Sequence, residues 1–220
     1  MTGSAAKAPW FLARCAQFAV PAAAGGELGR ALTVRAHLLH PATTSASATG
    51  RVSMIFVHVM TAAIVLFLLW FARCRRTPGC CHPAGLPLPA NAELLSPGRV
   101  PGSLAWAVLA WLIPVFNLWV PRGLVQDVHR ASAPADADAG RGDLLVNVWW
   151  AAWVGHAALS LAAANLGGGT SLTLLVAAEG LDLPAAALAV VVIQRITVRQ
   201  AAGLGARPQV PTPAGLPHAS

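Results

Sequence analysis

Val52 to Ala72, VSMIFVHVMTAAIVLFLLWFA, holds one ionisable side chain, His58. About 20 apolar residues rising roughly 1.5 Å each cross a hydrocarbon core of about 30 Å, so this stretch predicts a membrane-spanning helix. Arg73, Arg75 and Arg76 follow at once, and no acid appears before Glu93. Cytoplasmic flanks of spans carry the excess of basic residues, which places this end in the cytoplasm and lets Trp70 anchor the interface there.

A chain built around such a span need not cover itself with polar groups, and this one does not. It is 56% hydrophobic and 10% charged, against roughly one quarter charged in soluble domains. Its net charge of +7 comes from 15 basic residues against 8 acids. The arginines cluster between apolar blocks, which favours anionic lipid over nucleic acid as their counter-charge. Cys15, Cys74, Cys80 and Cys81 are too few and too irregularly spaced for a disulfide framework.

A second span is read at Leu144 to Ala164, LLVNVWWAAWVGHAALSLAAA, with Trp149, Trp150 and Trp153 toward its cytoplasmic half. Ala151 and Gly155 there fit a close helix contact through small residues. The uncharged link Asn165 to Ser171 suits the translocated side, and the chain returns through Leu172 to Gln194 to end at RITVRQ, with Arg195 and Arg199 as a second cytoplasmic boundary. Asp182 followed by Pro184 resembles a helix start, so the returning helix is expected to begin there after an irregular lead-in. Glu179 and Asp182 are expected at the outer interface, without a buried counter-ion.

The first 50 residues are less defined. APWFLARCAQFAVPAAAGG is a poor span, because Arg14 at its middle would cost about 2.5 to 3.5 kcal/mol and Pro21 shortens the helix. Three readings stay open: a marginal first span, a signal peptide cut after Ala22 to Ala24, or a misplaced start. Arg30, Arg35 and Arg51 then fall outside, against the charge rule, and a first span that does not insert would add Lys7 and Arg14 to them. A marginal first span is therefore kept. The organisation expected is an N-terminal region over 1–50, a membrane domain over 51–200 and a disordered Pro- and Gly-rich tail over 201–220.

Between the clear spans, Gly102 to Val120 is greasy but broken by Pro114 and Asn117. Arg99 lies before it and Arg122 and Arg130 after it, so both ends carry the cytoplasmic signature. Backbone groups freed by proline inside lipid need protein or water as partners. The segment is therefore read as a re-entrant or interfacial hairpin. Ser103 to Ile113 dips in, PVFN turns with the Asn117 amide replacing the lost bond, and Leu118 to Val120 leads out. Trp106, Trp111 and Trp119 would lie at headgroup level. Pro121 then opens a short surface helix with Leu124, Val125 and Val128 on one face and Arg122, Gln126, Asp127, His129 and Arg130 around the other. Asp127 and Arg130 form an i, i+3 pair.

NAELLSPGR, WAVLAWLIPVFNLWVPRGLVQDVHRASAP, LLVNVWWAAW and RITVRQ, in that order, resemble the landmarks of the actinobacterial membrane-protein family catalogued as domain of unknown function 4328. The resemblance runs from Asn91 to Gln200, with the preceding span matching in character. It implies a polytopic membrane protein without an established activity. Its motif positions here are Asn91, Trp111, Pro114, Asn117, Trp119, Pro121, Asp127, Ala131, Ser132, Asn147, Trp149, Trp150 and Gln200. CRRTPGCCHPAGLPLPA reads as an insertion, and the region before Gly50 lacks the clean first helix that the resemblance implies.

Chemistry is sparse. Cys74, Cys80, Cys81 and His82 are soft donors in one loop, but they lack the C-x2-C spacing of a zinc site, and a reduced juxtamembrane loop is the favoured reading. His58 and His156 are intramembrane ionisable groups and so functional candidates, although packing against a neighbouring helix serves His156 as well. Ser160 and Ser171 have no nucleophile context, and the Gly167 to Gly169 run precedes no phosphate-gripping base. Trp149, Trp150 and Trp153 could stack a ligand, but an interfacial belt is favoured.

The expectation is an all-α, polytopic transmembrane bundle of about four spans with a Pro-broken hairpin and a short amphipathic surface helix. It would be a multi-pass, non-enzymatic protein of the plasma membrane with its C-terminus cytoplasmic, needing no cofactor, metal or nucleic acid. Its company would be the bilayer and a membrane-protein partner or a second copy of itself. Asn117, Asp127, Arg130 and Asn147 form the expected structural polar set. A small-solute transporter or channel lined by His156 and the broken segment is one alternative, and a lipid-acting membrane enzyme is the other.

Overall fold

Apolar blocks of this length can satisfy their backbones in lipid only as helices, and helices are what form. The computed structural model describes residues 8–40, 45–76, 111, 116–132, 139–166 and 168–205. These contain α1 (Trp10–Leu39), α2 (Ala46–Arg76), a 3-10 turn (Phe116–Leu118), α3 (Val120–Ala131), α4 (Ala139–Asn165) and α5 (Gly168–Gly205), with no strand among the described residues.

Three of these helices are long and apolar enough to cross a membrane: Ser47–Arg75 within α2, Gly140–Asn165 within α4 and Gly169–Leu204 within α5. The protein is therefore a membrane protein. α1 is long enough by its 30 residues but carries Arg14, Glu27, Arg30 and Arg35, and it is not one of the three.

Side-chain bonds fix how the helices run. Gln17 of α1 meets Gln194 of α5, while Glu27 lies within electrostatic reach of Glu179 further back along α5, so α1 and α5 are antiparallel. Trp70 and Cys74 of α2 meet Thr197 and Gln200 of α5 in that order, so these two are parallel. His156 and Ala163 of α4 meet Ala178 and Ser171 in reverse order. α1 packs on α2 and α5, α4 on α5, and α3 on α4. The ends of α2 and α5, the start of α4 and the whole of α3 thus gather at one Arg-rich end.

Two prolines are read differently by the fold. Pro21 lies inside α1 and Pro184 inside α5, and both helices run through. The lead-in from Leu172 to Gly180 is helical rather than irregular. An unwound stretch in lipid would leave several backbone groups bare, whereas a proline frees one carbonyl. Arg14 also changes place, because α1 starts at Trp10. Its guanidinium sits in an early turn, exposed, donating to Gln17 at 3.3 Å. α5 continues to Gly205, so the first residues of the expected tail are helical.

The core is aromatic. Trp70 and Phe71 are fully buried, and Trp149 and Trp150 are 5% exposed. Phe67, Trp111, Trp149, Trp150 and Trp153 form a chain of rings with centroids 5.0 to 6.2 Å apart. Edge-to-face and tilted contacts suit the ring quadrupoles. This corrects the expected interfacial belt: Trp70, Trp149 and Trp150 face the bundle, because a core made largely of alanine needs a few large side chains to fill it. Trp119 alone of the headgroup candidates among the described residues is well exposed, at 66%.

Candidate functional site

The Arg-rich end is built around α3. Pro121 sits in its first turn and is buried, and Val125 and Val128 turn the apolar face inward. Three polar contacts then fasten α3 to the bundle. Asn147 of α4 accepts from Arg122 Nε and Gln126 Nε2, both at 2.7 Å. Arg130 grips Asp143 with a two-pronged fork, Nε to Oδ1 at 3.0 Å and Nη2 to Oδ2 at 2.5 Å. Such forks add geometric definition to charge.

His129 supplies the third. It is 2% exposed, and its ring lies over Gly142 of α4, where a Cβ would overlap Cε1. Arg199 of α5 donates to His129 Nε2 at 2.9 Å. A guanidinium only donates, so the imidazole accepts and is neutral. Its pKa is lowered by burial first and by the neighbouring Arg199 charge second. The fold therefore keeps His129 uncharged among arginines.

The expected set is partly regrouped. Asn147 and Arg130 are brought together with Arg122, Gln126, Asp143, His129 and Arg199. Asp127 is exposed, and Arg130 pairs with Asp143 rather than with it. A fork to a carboxylate on a packed helix outweighs a local pair in water. His129, expected on the polar face, is buried. Trp150 Nε1 donates to the Leu118 carbonyl at 3.1 Å, which ties the 3-10 turn to α4. Asn117 Oδ1 is buried without a partner among the described residues. Gln200 donates to the Cys74 carbonyl at 3.2 Å. Asn91 and Pro114, the hairpin arm Ser103 to Ala110, and Cys80, Cys81 and His82 lie outside the described residues.

Further along the bundle, His156 Nδ1 meets the Ala178 carbonyl at 3.0 Å. Gly155 lets Leu181 close in, since a Cβ there would stand 2.9 Å from its Cδ1, while Ala151 is exposed. His58 bonds back to Met54 of its own helix at 2.7 Å. Glu179 is 7% exposed, buried against the neighbouring helices. Neither of its oxygens has a hydrogen-bond partner among the described residues, and the same holds for Asp182 Oδ2. Glu27 is buried too, but Arg30 bridges both its oxygens and also stacks 5.3 Å over Phe56.

A cavity of about 150 Å³ lies between α1, α2, α4 and α5. The ring chain forms one side of it, alanines of α1 and α5 form the other, and Asp182 stands in its wall. Sequence reasoning missed this site and the Gln17–Gln194 contact. The signal available was polar residues within the apolar stretches of α1 and α5, namely Gln17, Gln194 and Asp182.

No curated protein and no solved structure matches the chain. The family model described as Domain of unknown function (DUF4328) matches residues 35–198, a range that begins in the last turns of α1 and takes in α2, α3, α4 and most of α5. The match therefore starts well before the Asn91 landmark and includes the first clear span. With most of its length covered, this chain belongs to the DUF4328 family.

Proposed function

We propose that this chain is a non-enzymatic membrane module of the plasma membrane that presents α3 on its cytoplasmic face as a docking shelf. One observation carries the reading: the polar groups at the Arg-rich end are spent on one another, from α3 to α4 and from α3 to α5, and hold the short helix rigidly against the bundle. Arg73, Arg75 and Arg76 of α2 and Arg195 and Arg199 of α5 meet at the same end, and basic excess marks the cytoplasmic side. On this reading α1 is a fourth span, the C-terminus is cytoplasmic, and the Pro-broken stretch before α3 enters and leaves by the same face. The occupant of the shelf is a membrane-protein partner or a second copy of the chain.

The test is a photo-crosslinker at exposed position 127 in living cells. A discrete adduct that disappears when Asn147→Leu releases α3 supports docking. An adduct indifferent to that change, or none, removes it. Labelling of Ala131→Cys from the outside of intact cells would reverse the topology.

A second reading, recognition of a small solute within the bundle, is favoured by the aromatic cavity and its acid. Its transport form requires solute flux in proteoliposomes that is abolished by substituting His156.

A further inference from the structure

The cavity combines three properties that rarely occur together by accident in a membrane bundle. Its walls are rings, alanine methyls and the side chains of Val20, Met60, Ile64 and Leu68. Its one ionisable group among the described lining residues is Asp182. One carboxylate oxygen of that residue is buried and has no hydrogen-bond partner among the described residues.

Each property narrows the occupant. A carboxyl group in an apolar wall either keeps its proton or needs a positive charge or a donor to answer its ionised form. Glu179, one turn earlier on α5, is likewise buried without a hydrogen-bond partner among the described residues. An anion finds no basic group among the described lining residues. A divalent metal needs four to eight oxygen, nitrogen or sulfur donors, and the described lining offers only the Asp182 carboxylate and the Met60 thioether beside indole N–H groups that cannot ligate. An acyl chain would fill the volume but leave the acid unanswered. What remains is a cation whose charge is spread over carbon-bound hydrogens. Tryptophan faces attract such a cation better than other rings do, and aromatic cages are the recurrent binding mode for quaternary ammonium groups.

Size agrees. A dry cavity of about 150 Å³ accepts benzene, and a tetramethylammonium ion is of comparable bulk. Trp111 adds a donor, since its buried Nε1 has no partner among the described residues. It can serve a hydroxyl or carbonyl carried by the same ligand.

We propose that this cavity binds a small monovalent organic cation of the quaternary or alkyl-ammonium class, with Trp149, Trp150 and Trp153 around its methyl groups and Asp182 as counter-ion. The inference deepens the small-solute reading and rests on it only as far as binding. A site that holds the cation without moving it keeps the inference and removes transport.

The experiment is calorimetric titration of the purified full-length protein in detergent. The probes are tetramethylammonium chloride, the near-isosteric neutral 2,2-dimethylpropan-1-ol, and sodium chloride at matched ionic strength. Saturable binding of tetramethylammonium, at least tenfold tighter than the alcohol and absent for sodium, is expected. Asp182→Asn should weaken it at least tenfold, and Asp127→Asn should leave it unchanged. Equal binding of the alcohol means an apolar void and overturns the proposal. So do the absence of saturation and a response shared by sodium. Should Asp182→Asn fail to fold, the comparison of cation with neutral isostere on the unaltered protein decides alone. Flux of the same ion into proteoliposomes, measured separately, decides transport.

Discussion

Trp70 Nε1 donates to Thr197 Oγ1 at 3.1 Å, with both residues fully buried. The same hydroxyl donates to the Ile193 carbonyl at 2.8 Å, so one threonine serves as acceptor across helices and as donor within its own. Thr197→Val keeps the volume but strands the indole N–H. A loss of about 1 to 3 kcal/mol is expected for an unanswered buried donor, seen as a lower melting temperature in detergent, and Thr197→Ser should restore most of it. An unchanged melt for the valine variant would show that the indole finds another acceptor.

Gly142 lies directly under the His129 ring. Gly142→Ala should lift α3 from α4, at a cost of about 1 to 3 kcal/mol for overpacking. Faster thiol labelling at Val128→Cys, a buried position, reports the release. Adding His129→Ala should return labelling toward the starting rate, because the ring is the obstacle. Additive rates would point elsewhere.

The neutral His129 makes docking of α3 dependent on pH. Its undocked value is the ordinary 6.5, and burial beside Arg199 lowers the docked one. As pH falls below about 6.5, the undocked state takes up a proton that the docked state refuses, so docking weakens. The loss grows until the docked imidazole also protonates, and it is constant below that point. Above about pH 7.5 no dependence remains. A nitroxide at Ala131→Cys should gain mobility on acidification through this window, and His129→Phe should flatten the response.

Gln17 donates to Gln194 at 2.8 Å and more loosely to the Val190 carbonyl at 3.4 Å, joining α1 to α5. Hydrogen bonds between helices in membranes average about 0.6 kcal/mol and reach about 1.7. A double-mutant cycle of Gln17→Leu and Gln194→Leu should give a coupling in that range. Zero coupling would mean that α1 is held by apolar contact alone.

How much of this could be read from the sequence depended on distance along the chain. The apolar lengths of α2, α4 and α5 are local quantities and were plain, as was Pro121 opening a surface helix with Val125 and Val128 inward. Pro21 and Pro184 misled because their usual effect is learned in water, where an unwound turn can bond solvent. Tryptophan misled because an indole suits either an interface or a core, and only the alanine-rich packing decides between them. Asp127 was the nearest acid to Arg130, but the partner chosen, Asp143, is 13 residues away, and Thr197 is 127 residues from Trp70. No local pattern announces such pairs. The cavity was least legible, since it is the space between four helices and belongs to none.

The 38 residues of α5 make a rod roughly 57 Å long. A hydrocarbon slab about 30 Å deep cannot contain it upright. Even leaning at about 40°, near the limit for spanning helices, it stands roughly 44 Å tall. Part of the rod must protrude, and the arginine-bearing turns from Arg195 onward are those that water admits. They do not stand bare, since Ile196 and Thr197 are fully buried and Arg199 reaches His129 of α3, so the neighbouring helices wall the turns that leave the hydrocarbon.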